Sequence, residues 1–155
     1  MARKREREKG VHLWLTLWRA ARSVERFARA DIARLGMSVT DFAILEALYH
    51  KGPLTVGQVA GKALLTSGAM TAAIDRLAAA GLVARSETPG DRRGRTVSLT
   101  PAGEGRIADA FARHAEQFER LFAPLSRDER ASFSSLAVKV GLLADEVTLH
   151  ERNGS

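Results

Sequence analysis

Cysteine is absent from the 155 residues. That removes disulfides, thiol catalysis, cysteine-ligated metals and thiol-based redox sensing together, and it suits a reducing compartment such as the cytoplasm. Histidine is scarce too. His12, His50, His114 and His150 have no histidine three or four residues away, so a helical metal site is not expected and no metal is assigned. There is no HExxH, no phosphate-binding GxxxxGK[ST] and no GxSxG, and Ser67-Gly68 lacks the flanking glycines of a nucleophile elbow. No enzyme and no cofactor is expected. Long apolar runs are missing as well. The stretch from Val11 to Trp18 is eight residues with Thr16 inside it, too short to span a bilayer. The basic opening MARKREREKG leads into no signal-type apolar segment, so no targeting segment is expected. Repeats are absent.

What is present is basic. The net charge is +6, with a pI near 10.5, a balance that favours a polyanionic partner. The charge is also partitioned. Residues 1–34 carry ten Lys/Arg against four Asp/Glu, residues 51–100 seven against three, and residues 101–155 seven against nine. A generally adhesive basic protein would show no such division.

The chain is organised around residues 66–100, TSGAMTAAIDRLAAAGLVARSETPGDRRGRTVSLT. Thr66 is a good N-cap. Met70, Ala73, Ile74 and Leu77 recur at helical spacing, which gives one apolar face. Gly81 stands where a left-handed helix terminator is wanted. Residues 82–88 read as a strand, residues 89–95 as a basic turn, and Thr96 to Leu99 as an alternating return strand. A helix followed by a two-stranded ribbon with arginines at its tip is the layout of a winged helix. A major groove admits such a helix, and the negative potential of a minor groove favours an arginine at the tip. The alternative for DRRGR alone is a solvated surface hairpin.

Upstream, residues 11–35 form a long helix with Leu13, Trp14, Leu17, Trp18, Val24 and Phe27 on a wide apolar face and Arg19, Arg22, Arg26 and Arg29 opposite. Residues 2–9 read as a frayed tail, with contact to DNA phosphates as the alternative. Gly36 ends the helix. Ser38 with Asp41, Thr55 with Gln58 and Ser126 with Glu129 have the spacing of capping boxes. Phe42, Leu45, Leu48 and Tyr49 form the buried face of the second helix; Val59, Ala60, Ala63 and Leu64 that of the third. Gly57 and Gly61 are read as permitting close helix approach. Thr100-Pro101 opens a further helix, with proline in the slot where its missing amide costs nothing. Ile107, Phe111 and Phe118 form its stripe, and Phe133, Leu136, Val140, Leu143 and Val147 that of a last helix.

The expected fold is mostly α with a small β-ribbon: a winged helix-turn-helix with N- and C-terminal dimerisation helices. Residues 1–35 are assigned to an N-terminal dimerisation helix (1–10 its basic tail), 36–100 to the DNA-binding domain, 101–150 to C-terminal dimerisation helices and 151–155 to a tail. The terminal helices would leave a large apolar patch on a monomer, and a twofold homodimer is the simplest way to cover it. Two recognition helices related by a dyad would read a pseudo-palindrome with half-sites about one helical turn apart.

Several stretches then resemble the MarR family of bacterial transcription regulators: Gly52-Pro53-Leu54-Thr55-Val56, Asp75-Arg76-Leu77, Gly81-Leu82-Val83, Asp91-x-Arg93, and Val97-x-Leu99-Thr100-x-x-Gly103. Together they cover about residues 38–103. The resemblance implies interdigitated terminal helices, a double-stranded DNA partner, and a pocket between those helices and the winged helix for a small, often aromatic and anionic effector. It also implies that Asp91 aims a wing arginine, where the residues alone allow simple turn formation. On the recognition helix Thr66, Ser67, Gly68, Thr71, Ala72 and Arg76 are the candidate DNA contacts, Thr71 and Ala72 facing bases and Ser67 and Arg76 phosphates. Ala72 departs from the longer polar residue common in the family. In the wing Arg93 is assigned to the minor groove and Arg92 and Arg95 to phosphates. His12, Trp14, Trp18, Phe42 and Tyr49 are candidate effector-pocket residues, with core packing as the alternative for each. The rival to a DNA-binding regulator is a helical scaffold or membrane-surface protein using the Trp/Arg face of the first helix; no membrane partner is otherwise expected.

Overall fold

A computed structural model describes the backbone of residues 2–63, 67–87 and 95–153, with side chains from 9–61, 70–86 and 96–150. Along the chain lie α1 (Ala2–Arg34), α2 (Val39–Lys51), β1 (Leu54–Thr55), α3 (Val56–Ala63), α4 (Ser67–Ala79), β2 (Val83–Glu87), β3 (Arg95–Leu99), α5 (Pro101–Phe122) and α6 (Arg127–Asn153). Two compact units result, Met1–Ala115 and Glu116–Ser155.

The first unit is built on α2, α3, α4 and an antiparallel sheet of order β1-β3-β2. Ile44, Leu45 and Leu48 of α2, Val59 of α3, Met70, Ala73, Ile74 and Leu77 of α4 and Val97 of β3 share one buried core with Ile32, Ile107 and Ala110. The 3.6-residue spacing read along α4 is therefore the face that packs. Along α2 the expected face differs at two places: Ile44 is fully buried, whereas Tyr49, expected inside, is 39% exposed. The ribbon also has a third strand. Leu54 and Thr55 pair with Val97 and Thr96, a two-residue strand too short to carry an alternation.

Of the three expected capping boxes two form in full and one in half, while the Thr66 cap lies outside the described residues. Thr55 and Gln58 exchange both bonds of a capping box: the Thr55 amide donates to Gln58 Oε1 at 2.9 Å and the Gln58 amide to Thr55 Oγ1 at 3.2 Å. In the second unit Ser126 and Glu129 do the same, at 2.8 and 3.3 Å. The Ser126 amide and hydroxyl thereby hold the Glu129 carboxyl below its ordinary range. At Ser38 only half the box forms. The Asp41 amide donates to Ser38 Oγ at 3.0 Å, but the Asp41 carboxylate accepts from Arg76 of α4 instead.

Helix ends follow the same local logic. Gly81, at φ +71°, occupies the left-handed position after α4 that a side chain would resist. The Leu82 amide donates to the Leu77 carbonyl and the Gly81 amide to that of Ala78, both at 2.9 Å, which is a Schellman closure. Two glycine readings are corrected. Among the described residues, a Cβ on Gly57 or Gly61 would meet nothing within 4 Å, so neither permits a close approach there. The glycine that does is Gly103, whose Cβ would stand 1.9 Å from the Leu82 carbonyl oxygen. A further correction concerns the basic tail: α1 starts at Ala2, so those residues are helical.

The C-terminal end of α1 carries Asp31, the one buried charged residue among those described, 3% exposed. An anion at a helix C-terminus opposes the macrodipole and needs partners. His114 Nδ1 lies 2.6 Å from Oδ2, and Arg34 Nη2 lies 3.1 Å from Oδ1. An ionised carboxylate can only accept, so Nδ1 carries the proton. Burial alone would raise the Asp31 pKa, but the bonds and charges of His114 and Arg34 outweigh it and hold the carboxyl below the ordinary 3.8. A folded-state value below the unfolded one contributes stability above the unfolded value and loses it as pH falls through the folded one. Asp31→Asn is thus expected to cost about 1.5–3 kcal/mol at pH 7. Urea titrations at pH 7 and pH 3 check this: the gap between wild type and variant should narrow at the lower pH. An equal gap at both would contradict it.

The second unit is a helical hairpin. Its turn is tied by Arg130, whose Nε donates to the Phe122 carbonyl at 3.1 Å and whose Nη1 pairs with Glu119 at 2.7 Å. Along α6 the expected stripe of Phe133, Leu136, Val140, Leu143 and Val147 is exposed. So are Val11, Leu13, Trp14 and Trp18 on α1.

Candidate nucleic-acid interface

With Met70, Ala73, Ile74 and Leu77 turned into the core, α4 leaves Thr71, Ala72, Asp75 and Arg76 exposed. From Met70 onward the helix faces outward along one side and is anchored along the other, which is what a helix needs to enter a groove. Ser67 and Gly68 lie in its first turn. Among the other assigned residues, Arg95 opens β3, and Thr66, Asp91, Arg92 and Arg93 lie outside the described residues.

The ribbon is held against α4 through its base. The β2–β3 ladder runs from Val83 opposite Leu99 to Glu87 opposite Arg95, with Ser86 and Thr96 hydroxyls 2.7 Å apart across it. Thr100 closes the base. Its hydroxyl donates to the Gly81 carbonyl at 2.7 Å and accepts from the Gly103 amide at 3.0 Å, while its own amide donates to the Leu82 carbonyl at 3.1 Å. The end of α4, the start of β2 and the start of α5 are thereby one rigid corner. Strand direction, and with it the place from which the arginine-bearing segment departs, follows from that corner.

Two ion pairs on this surface were not legible from the sequence. Arg76 Nη2 lies 2.9 Å from Asp41 Oδ1, joining α4 to α2. Arg85 Nη2 lies 2.6 Å from Asp75 Oδ1, joining β2 to α4. Neighbouring opposite charges at 75 and 76 were visible, but nothing local tells a reader that each reaches a different element.

Among the described residues, the five effector-pocket candidates stand in separate contacts. Trp14 and Trp18 meet each other, ring centroids 6.5 Å apart, and Arg22 lies 5.0 Å over Trp18. Phe42 is a core residue, 3% exposed, with its ring at 4.9 Å from His114. Tyr49 stands beside His50 and Phe111, at 5.1 and 6.4 Å. His12 is exposed. No group of acidic or histidine side chains that could hold a metal exists among the described residues, and no described helix is long and apolar enough to cross a membrane.

A helix-turn-helix with its second helix exposed, followed by a ribbon locked to that helix, defines a winged helix-turn-helix protein. Residues 35–94 match the model of the MarR family. Over 139 residues the chain is 35% identical to the HTH-type transcriptional regulator MhqR of Bacillus subtilis (strain 168), covering 90% of this chain and 96% of that one. The chain belongs to the MarR family of transcriptional regulators. Solved structures share the fold. A mutant MarR from E. coli complexed with operator DNA superposes with a TM-score of 0.71 at 24% identity, covering 83% of this chain and 92% of that one. BpsR of Bordetella bronchiseptica, whose DNA binding is regulated by 6-hydroxynicotinic acid, gives 0.70 at 23%, covering 81% and 98%.

Proposed function

We propose that the protein is a homodimeric repressor of the cytoplasm that binds a pseudo-palindromic operator and is released by a small aromatic or anionic effector, with no catalytic step. The observation that carries this reading is the outward face of α4 beside a wing strand anchored to it. Thr71 and Ala72 offer methyl contact to thymine and one hydroxyl. Ser67 and Arg76, with Arg92 and Arg95, serve phosphates. Arg93 enters the minor groove, aimed by Asp91. Operator DNA on the MarR structure and 6-hydroxynicotinic acid as the regulator of BpsR support the two ligand classes. For the effector, the exposed aromatic rings of Trp14, Trp18 and Tyr49 are the walls on offer, and His12 a polar anchor; Phe42, buried in the core, offers no open face of its own.

Titrating duplex DNA at a series of salt concentrations tests the reading. Several arginines on phosphates give a steep linear fall of log affinity with log salt; a slope near zero would remove the phosphate contacts. Dimerisation is tested separately. The exposed apolar stripes of α1 and α6 are expected to be covered by a second copy, so sedimentation at micromolar concentration should give about twice the 16.8 kDa chain mass. A monomer there would contradict the dyad.

A further inference from the structure

We propose that Asp41, a residue of α2 with no DNA contact of its own, is a positioning residue that aims Arg76 at a DNA phosphate. The inference rests on the reading of Arg76 as a phosphate contact.

Three capping boxes can be compared within this one chain. Gln58 and Glu129 each turn back to the amide of their own cap residue, Thr55 and Ser126. Asp41 stands at the same position relative to Ser38, and its backbone amide makes the same bond to the cap hydroxyl. Its side chain is shorter, however, and its carboxylate crosses to α4, 35 residues away in sequence, where it meets Arg76. Asp41 is well placed to act as a fixed point. It is only 22% exposed, and the next residue, Phe42, with Ile44 and Leu45 beyond it, is locked in the core.

Arg76 is the more exposed partner, 57% exposed on the outer face of α4. The bond to Asp41 runs through Nη2 and uses one of the five N–H donors that a guanidinium carries. The rest of the fork stays available for a phosphate oxygen. An unrestrained arginine surrenders rotamer freedom when it docks on a phosphate, and a side chain already held in place surrenders less. The tether also holds one end of a planar fork, an arrangement that lysine at this position could not reproduce.

The charge of Asp41 makes the idea sharply testable. On electrostatics alone, deleting a carboxylate beside a DNA-binding surface should strengthen binding to a polyanion. A positioning role predicts the reverse. Operator affinity is measured at fixed salt for the full-length wild type, Asp41→Ala, Arg76→Ala and the double variant. Thermal midpoints and sedimentation establish that each is folded and assembled like the wild type. Should Asp41→Ala fail that check, Asp41→Asn, which keeps the size of the side chain, replaces it. We expect Arg76→Ala to weaken binding about tenfold and to lower the salt slope by about one. Asp41→Ala should weaken binding about three- to tenfold, and the double variant should match Arg76→Ala within about twofold, because Asp41 has nothing left to aim. Unchanged or tighter binding by Asp41→Ala overturns the inference, as does a loss that adds fully to that of Arg76→Ala. If Arg76→Ala itself binds like the wild type, the phosphate-contact reading fails instead.

Discussion

Gly103→Ala is expected to destabilise the protein by about 3 kcal/mol or more. The added methyl would lie 1.9 Å from the Leu82 oxygen and 2.8 Å from its carbonyl carbon. Both are backbone atoms, so no side chain can swing aside, and the case exceeds ordinary overpacking, which costs about 1–3 kcal/mol. The same Leu82 oxygen accepts the Thr100 amide, and Gly103 donates its own amide to Thr100 Oγ1. Moving α5 away from Leu82 therefore strains the whole corner that anchors β2. Denaturant unfolding measures the loss, and a midpoint equal to that of the wild type would show that the corner yields cheaply. Because the wing departs from β2, operator affinity should fall in a folded Gly103→Ala protein as well.

The second large effect is expected in the wing. Arg93→Ala should weaken DNA binding by about 1–3 kcal/mol at fixed salt while leaving fold and dimer intact. The recognition helix gives the reason for placing so much on one arginine. Its outward residues include Ala72, and its first turn holds Gly68 and Ala69, none of which can hydrogen-bond a base through its side chain. Thr71 offers a single hydroxyl. Within the N-terminal half of the helix no bidentate guanine contact of the kind arginine makes in a major groove is available. Specificity must then lean on the minor groove and on DNA shape. Thr71→Ala should consequently cost less than Arg93→Ala. If Thr71→Ala abolishes sequence preference and Arg93→Ala leaves it intact, the division of labour between helix and wing is wrong.

How much of this was legible in the sequence depends on how local each cause is. The buried face of α4, Met70-Ala73-Ile74-Leu77, follows from helical period alone. Gly81, the Thr55 and Ser126 caps and Pro101 at the start of α5 are likewise decided within a few residues. What could not be read is set by partners distant in sequence. Asp41 looks like a capping-box acid until Arg76 is seen beside it. Asp31 sits in a run of alternating charge and alanine, and only His114, 83 residues later, explains why a carboxylate is buried there. Glycine was misjudged for the same reason. Gly57 and Gly61 look like a close-packing pair by spacing, yet face open space; Gly103, visible only as part of a family motif, presses on the backbone of Leu82, just before β2. Tyr49 continues the spacing of Leu45 and Leu48, which predicts burial, but it stands two residues from the end of α2 and is exposed. Among the site residues, Thr71, Ala72 and Arg76 are brought onto one exposed helix face, whereas the aromatic character that marks Trp14, Trp18, Phe42 and Tyr49 as candidate pocket walls says nothing about proximity.

The most direct measurement is selection of duplexes from a random pool by the purified protein, followed by sequencing of what it retains. The account expects a pseudo-palindrome with half-sites about one helical turn apart. Information should be modest where α4 meets the major groove and highest where the wing reaches the minor groove. The same selection with Arg93→Ala should flatten those wing positions first. Failure to enrich any sequence, or enrichment of a single asymmetric half-site, would contradict the central claim that a dyad-related pair of these surfaces reads DNA.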